Sequence, residues 1–229
     1  MRHLEEKGLE QKTTIFFTSD NGGIPSRISP LNGSKGSLYD GGIKVPAAAW
    51  GYGVKKSSDY CPEIVLGMDF YPTIIELAGL SHDPSHKPDG ISLVPHLRGT
   101  PSINRGNVFW HFPCYIGKGE PSSVIRNGRY KLIYFFEDKR SELYDLEKDP
   151  NEKNDLANSK VQEKQRMENE LFAWLKKTGA AVPSGPNPSY DPTAVSKGKK
   201  GKEGKGKKSE PGNKGSKEDE VKRKKKKQK

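Results

Sequence analysis

The sequence is poor in cysteine and has no long apolar run. Its two cysteines, Cys61 and Cys114, stand in no Cys-x-x-Cys spacing and face no patterned histidines. That excludes a zinc-ligand motif and a disulfide framework, and leaves both as buried thiols. No stretch approaches the roughly 20 apolar residues of a membrane helix, and Met1-Arg2-His3-Leu4-Glu5-Glu6 does not have the form of a signal peptide. A His-Glu-x-x-His motif is absent too. His82 and His86 are four apart, but they occupy a loop with Pro84 and Pro88 and read as surface residues.

Excess charge is lacking over most of the chain. Residues 196–229 carry 15 Lys and 1 Arg against 4 Glu and 1 Asp, a net charge of +11, which is the charge of the whole chain. The preceding 195 residues hold 24 basic and 24 acidic side chains. A sequence pI near 9.4 therefore says nothing about the folded part and gives no ground for a nucleic-acid-binding domain. Residues 183–229 pass from a Pro/Gly linker into Lys and Gly repeats with almost no apolar side chains, a composition expected to stay disordered. Such a tail acts as a solubilising extension or as a weak polyanion contact.

Elsewhere the patterns are those of a folded chain. Thr13–Thr18 is a β-branched and aromatic run expected to form a strand buried on both faces, preceded only by a charged segment with room for one or two helical turns. Ile43–Trp50 reads as a second strand, its pairing limited by Pro46. Met68–Leu80 reads as a helix, with Asp69 as cap, Pro72 in the first turn and Gly79 as stop. Beyond Arg105, the runs Asn107–Phe112, Ser123–Arg126, Tyr130–Phe136 and Glu142–Asp145 alternate with turns and predict a small antiparallel sheet. A helix over Lys160–Lys177 follows, with Val161, Met167, Leu171, Trp174 and Leu175 at helical spacing and Gly179 as its stop.

Two segments carry chemistry. The first, Ser19-Asp20-Asn21-Gly22-Gly23, lies at the carboxyl end of the first strand, where open α/β sheets place their ligands. A carboxylate beside a carboxamide offers two hard oxygen donors for Ca²⁺ or Mg²⁺; the same residues are also ordinary turn chemistry. The second is Ser34-Lys35-Gly36-Ser37-Leu38-Tyr39-Asp40-Gly41-Gly42-Ile43-Lys44-Val45-Pro46. Alone, Lys35 reads either as a fixed ammonium or as a solvated loop lysine.

Together and in this order, the two segments resemble the sulfatase family, arylsulfatase-like members of the alkaline phosphatase-like superfamily. There, a strand ending in Ser-Asp-Asn-Gly is followed by Lys-Gly-(Thr/Ser)-Leu-Tyr-(Glu/Asp)-Gly-Gly-(Ile/Val)-(Arg/Lys)-Val-Pro. The resemblance extends through Val108-Phe109-Trp110-His111-Phe112-Pro113, Ile125–Leu132, Glu142–Leu146, Asp149-Pro150 and Glu152, and so covers residues 1–192. It implies an α/β class: a partial alkaline phosphatase-like/sulfatase fold with a small C-terminal antiparallel sheet plus helix, and a disordered basic tail. Residues 1–104 would be the C-terminal part of the catalytic domain, 105–182 an α+β subdomain and 183–229 the linker and tail.

The resemblance also implies roles. Asp20 and Asn21 would be two ligands of a divalent cation, Ca²⁺ first and Mg²⁺ second, and Lys35 would contact the sulfate of the substrate. His111 would face the substrate or serve as a structural histidine beside Trp110; many related sequences place a second histidine where Cys114 stands. The family's nucleophile is a formylglycine made within a Cys/Ser-x-Pro/Ala-x-Arg segment. No such segment occurs here, since Cys61 precedes Pro-Glu-Ile and Cys114 precedes Tyr-Ile-Gly. The paired aspartates that complete the family's metal site are absent as well. The expectation is a C-terminal half, with formylglycine in a separate N-terminal half and no turnover by this chain alone. Its partner would be a sulfate ester, by resemblance a sulfated glycan. The parent enzymes are often exported to the periplasm or beyond, although nothing in this sequence specifies a compartment. The alternative is a non-catalytic relative that binds sulfated polysaccharide or other polyanions through Lys35 and the tail.

Overall fold

The chain is seen in a computed structural model that describes residues 2–190 except 56–59, 101, 104, 117–118 and 186. Of the expected linker and disordered tail over 183–229, residues 191–229 lie outside the described residues, while the linker is tethered where Asn187 N donates to Glu137 Oε2 at 2.9 Å and the Tyr190 hydroxyl to Glu120 Oε2 at 3.1 Å. A short helix, α1 (Arg2–Glu6), and a 3₁₀ turn at Glu10–Lys12 lead into strand β1 (Thr14–Thr18). Two single-turn helices, α2 (Pro25–Ile28) and α3 (Asp40–Ile43), precede β2 (Ala47–Gly51). Helix α4 (Phe70–Leu77) and the turn α5 (Val94–Leu97) come next, then strands β3 (Val108–Phe112), β4 (Ser122–Asn127), β5 (Tyr130–Phe135) and β6 (Ser141–Asp145), and last α6 (Val161–Thr178).

The strands form two sheets. β1 pairs antiparallel with β2, Thr14 opposite Gly51 and Thr18 opposite Ala47. β3 to β6 form an antiparallel meander in sequence order. Alternation along its strands sends Ile125, Leu132 and Leu143 to one face, where Met167, Leu171 and Leu175 of α6 cover them. The neighbours Val124, Ile133 and Tyr144 point the other way and meet Leu38 and Tyr39, together with Trp110 and Leu146. An antiparallel sheet commonly leaves one face to water. Here the second face is closed by the segment that carries Lys35.

The expected α6 stripe is present with one change: Val161 is 62% exposed, since it starts the helix before the apolar face reaches the sheet. Gly179 ends the helix at φ +62° in the left-handed region, with its amide bonded back to the last turn. Trp174 stacks on Phe109 of β3 with ring centroids 4.6 Å apart.

Elsewhere local expectation yields to tertiary context. β1 is not buried on both faces: Phe17 is 64% exposed, because β2 is the sole strand beside it among the described residues. Phe16, on the other face, meets Phe70 edge-on at 5.5 Å. The second strand begins at Ala47, after Pro46, and the residues before it turn helically as α3. Asp69 sits at the start of α4 without capping its backbone. Its carboxylate accepts from Leu66 N (2.7 Å) and Ile91 N (3.1 Å) and pairs with Arg105, so it ties two loops and a distant arginine together. Cys61 and Cys114 are both exposed, Cys61 in a loop with its Sγ 2.9 Å from His96 Nε2.

Because α6 is held mainly by its buried face, Leu171→Ala should cost about 2–5 kcal/mol, whereas Val161→Ala should stay within about 0.5 kcal/mol of the parent. Urea denaturation of both variants followed by far-UV circular dichroism checks the contrast.

Candidate sulfate and cation site

At the end of β1 the chain enters Ser19-Asp20-Asn21-Gly22-Gly23, and two backbone bonds set this turn against the second motif. Gly22 N donates to Gly42 O at 3.1 Å, and Lys35 N donates to Gly23 O at 3.0 Å. The approach demands glycine at Gly22, where a Cβ would stand 2.3 Å from Gly41 O; within the second motif a Cβ on Gly42 would stand 2.0 Å from Ser37 O, so that segment's own fold requires glycine there. Two motifs separated in sequence are thus laced into one surface.

On that surface Asp20 and Lys35 are exposed and Asn21 is half-buried. Among the described residues, no hydrogen bond or ion pair engages the side chains of Asp20, Asn21 or Lys35. A divalent cation of the Ca²⁺ type takes about six to eight oxygen ligands. Asp20 and Asn21 have the right donor chemistry and are unspent, so they fit part of such a shell. Among the described residues no group of three or more His, Cys, Asp or Glu side chains could hold a metal ion. Lys35 offers a compact ammonium suited to an anionic oxygen.

Beneath the surface lies a cluster of ionic groups that the sequence reading did not identify. The fully buried Lys131 Nζ donates to Asp40 Oδ1 and to Glu152 Oε1, both at 2.7 Å. Burial pushes the Glu152 carboxyl up, opposed by the Lys131 charge and reinforced by that of Asp40. Next to it, Tyr39 and Tyr144 both donate their hydroxyls to Glu142 Oε2, at 2.5 and 2.7 Å. Burial, followed by the Glu142 charge, raises both phenols well above their ordinary value. Lys131 is thus a structural residue of β5, and its partners lie too far away in sequence for a local pattern to reveal. A signal was available: in Tyr-Lys-Leu-Ile-Tyr-Phe, Lys131 shares a strand face with Ile133 and Phe135, and a lysine there needs buried carboxylates.

His111 is engaged within the C-terminal sheet. Its Nε2 donates to Ala181 O at 2.7 Å, since a carbonyl can only accept, and its Nδ1 is hydrogen-bonded with Ser123 Oγ at 2.6 Å. From this region the Lys35 turn meets Ile116 and Gly119, which pair with each other through an isolated antiparallel bridge. Ile116 Cγ2 lies 3.0 Å from where a Cβ on Gly36 would sit, and a Cβ on Gly119 would stand 1.9 Å from Gly36 O. His82 and His86 are exposed, His86 edge-on to Tyr71.

A family model described as "N-sulphoglucosamine sulphohydrolase, C-terminal" matches residues 34–179. A protein named "Sulfatase" from Formosa agariphila is 36% identical over 191 residues, covering 76% of this chain and 34% of that protein. The solved structure of Ps i-CgsB superposes with a TM-score of 0.64 at 26% identity, over 76% of this chain and 38% of that one. A structure solved with its substrate D-glucosamine-2-N,6-O-disulfate gives a TM-score of 0.60 at 25% identity, over 77% and 36%. The chain belongs to the sulfatase family and matches its C-terminal portion. It spans about a third of the length of the curated relatives it matches.

Removing Lys131 alone strands two buried carboxylates. Lys131→Ala should therefore destabilise the chain by about 3–5 kcal/mol, measured as a shift of the urea midpoint at unchanged slope. A change below about 1 kcal/mol would mean that the cluster is hydrated in solution.

Proposed function

We propose that this chain is the sulfate-holding C-terminal part of a sulfuric ester hydrolase whose complete form is metal-dependent and uses a formylglycine nucleophile. The observation that carries this reading is the backbone pairing of Gly22 with Gly42 and of Lys35 with Gly23. It brings the turn bearing Asp20 and Asn21 against the segment bearing Lys35, and among the described residues no hydrogen bond or ion pair engages these three side chains. In sulfate ester hydrolysis, negative charge builds on the sulfate oxygens and on the leaving oxygen as the S–O bond breaks. A preorganised ammonium facing that charge lowers the barrier, and this is the part given to Lys35. Asp20 and Asn21 would hold Ca²⁺, or Mg²⁺ in its place, with further donors supplied from outside this chain. The cation would supply Lewis-acid charge stabilisation at the same sulfate.

The substrate class follows from the relatives. One solved structure holds D-glucosamine-2-N,6-O-disulfate as its substrate, and we carry over the class, a sulfated sugar, rather than the compound. No Cys/Ser-x-Pro/Ala-x-Arg segment occurs in this sequence, so the chain alone should not turn over. Titration of ¹⁵N-labelled chain with inorganic sulfate should move the Lys35 and Gly36 amides, and Lys35→Ala should weaken that response about tenfold or more. Ca²⁺ should move the Asp20 and Asn21 amides, and Asp20→Ala should remove that response. Hydrolysis of a chromogenic aryl sulfate by the parent but not by Lys35→Ala would overturn the assignment of the nucleophile to another segment.

The charge distribution supports a second reading, that of a non-catalytic binder of sulfated polysaccharide. Residues 196–229 place 16 basic against 5 acidic side chains, and clustered lysines bind polyanions by counterion release. Retention on a heparin column that falls steeply with salt, and disappears when the chain is ended after Tyr190, is the expected result for this reading. Absent or salt-insensitive retention would end it.

A further inference from the structure

The Asp149-Pro150-Asn151-Glu152 turn stands apart from the oxygen donors and the lysine described above, yet its last residue reaches the Lys35 segment at both ends. The Glu152 carbonyl accepts from Asn32 Nδ2 at 3.2 Å, three residues before Lys35. Its Oε2 accepts from Asp40 N at 2.8 Å, five residues after Lys35. Its Oε1 accepts from Lys131 Nζ, which also binds the Asp40 carboxylate. Glu152 is itself buried and sits at φ +52°, in the left-handed region that non-glycine residues seldom occupy. That conformation is set locally. Glu152 N donates to Asp149 O at 3.1 Å, and the Asp149 carboxylate accepts from Lys153 N and Asn154 N at 2.8 and 2.7 Å.

We propose that Glu152 is a positioning residue for Lys35: one side chain and one carbonyl clamp both ends of the Asn32–Asp40 loop, so that the C-terminal subdomain fixes the ammonium facing the sulfate. This rests on Lys35 being the sulfate contact, and it adds that the contact is held from a turn more than a hundred residues away in sequence. The geometry has an economy that a general packing role would not need. The loop and the residues just after it also carry backbone bonds of their own, Ser37 N to Ser34 O, Gly41 N to Asn32 O at 2.7 Å and Gly42 N to Tyr39 O. One further long-range backbone bond, Lys35 N to Gly23 O, leads toward the Asp20–Asn21 turn. With the clamp released, the Gly41 N to Asn32 O bond still closes the loop, and the Lys35 N to Gly23 O bond is the one backbone bond among the described residues that ties Lys35 itself to another segment.

Hydrogen exchange resolved by residue, on the whole chain, tests this. In Glu152→Ala the amides of Lys35, Ser37 and Gly41 should speed up about tenfold or more beyond any change at Val124, Ile125 and Leu132, whose common shift reports only the stability lost with the buried ion pair. Glu152→Gln should recover part of the protection, since its carboxamide oxygen still accepts from Asp40 N. The response of Lys35 to inorganic sulfate should weaken in the same order, Ala more than Gln. Parent rates throughout the loop in Glu152→Ala would overturn the proposal. So would loosening spread evenly over loop and sheet, which is the mark of a residue that merely holds the fold. Should Glu152→Ala fail to fold, Asn32→Ala removes the carbonyl tether from outside the sheet; faster exchange at Lys35 and Gly41 then supports the clamp, and parent rates there overturn it. The exchange rates need no sulfate, so a chain that binds none would end the sulfate reading while exchange still decides the clamp.

Discussion

The buried Lys131 ammonium is the constraint on which the rest of the structure turns. An ammonium withdrawn from water carries a desolvation penalty of several kcal/mol, offset only when oppositely charged groups with good geometry surround it. Lys131 is on the central strand β5, and its two carboxylates come from elsewhere: Asp40 from the segment bearing Lys35, and Glu152 from the turn after β6. None of the three groups is stable in that place without the others. The far face of the meander therefore cannot close on apolar contacts alone. It closes when the segment bearing Lys35 is in position, which couples docking of that segment to completion of the core's second face.

What the sequence discloses follows from how far each signal reaches. The α6 stripe and the alternation along β4, β5 and β6 are local, recurring every three or four residues or every second one, and Met167, Leu171, Ile125 and Leu143 are where periodicity puts them. Pro46 and Gly179 likewise act through their own backbone. Thr13–Thr18 is different. A continuous apolar run says that both faces are suited to burial, but burial depends on neighbours, and Phe17 has none on its outer side among the described residues. Asp69 misleads for a related reason: a carboxylate at a helix start is a cap by local rules, yet Arg105, 36 residues away, outcompetes the helix amides for it.

The site divides in the same way. Asp20, Asn21 and Lys35 are visible because their neighbours form recognisable strings, and Gly22 in the first string proves to be needed for contact with the second. The clamp beneath is invisible as a string, since its members stand 21, 91 and 112 residues apart. Only one of them betrays itself, Lys131, by occupying an apolar face. His111 shows the opposite case. Its flanking residues made it conspicuous, while its ring turns out to be spent on Ser123 and Ala181.

The two covers of the β3–β6 sheet differ in kind. One is an 18-residue helix with its own internal ladder of bonds; the other is a glycine-rich strap held by a handful of tethers. Stability in a protein is not spread evenly, and segments with few internal bonds open before those with many. The strap side is then the softer side of the molecule, and partial opening would remove the lysine from its place while α6 and the four strands stay folded. The fold can outlast its own site.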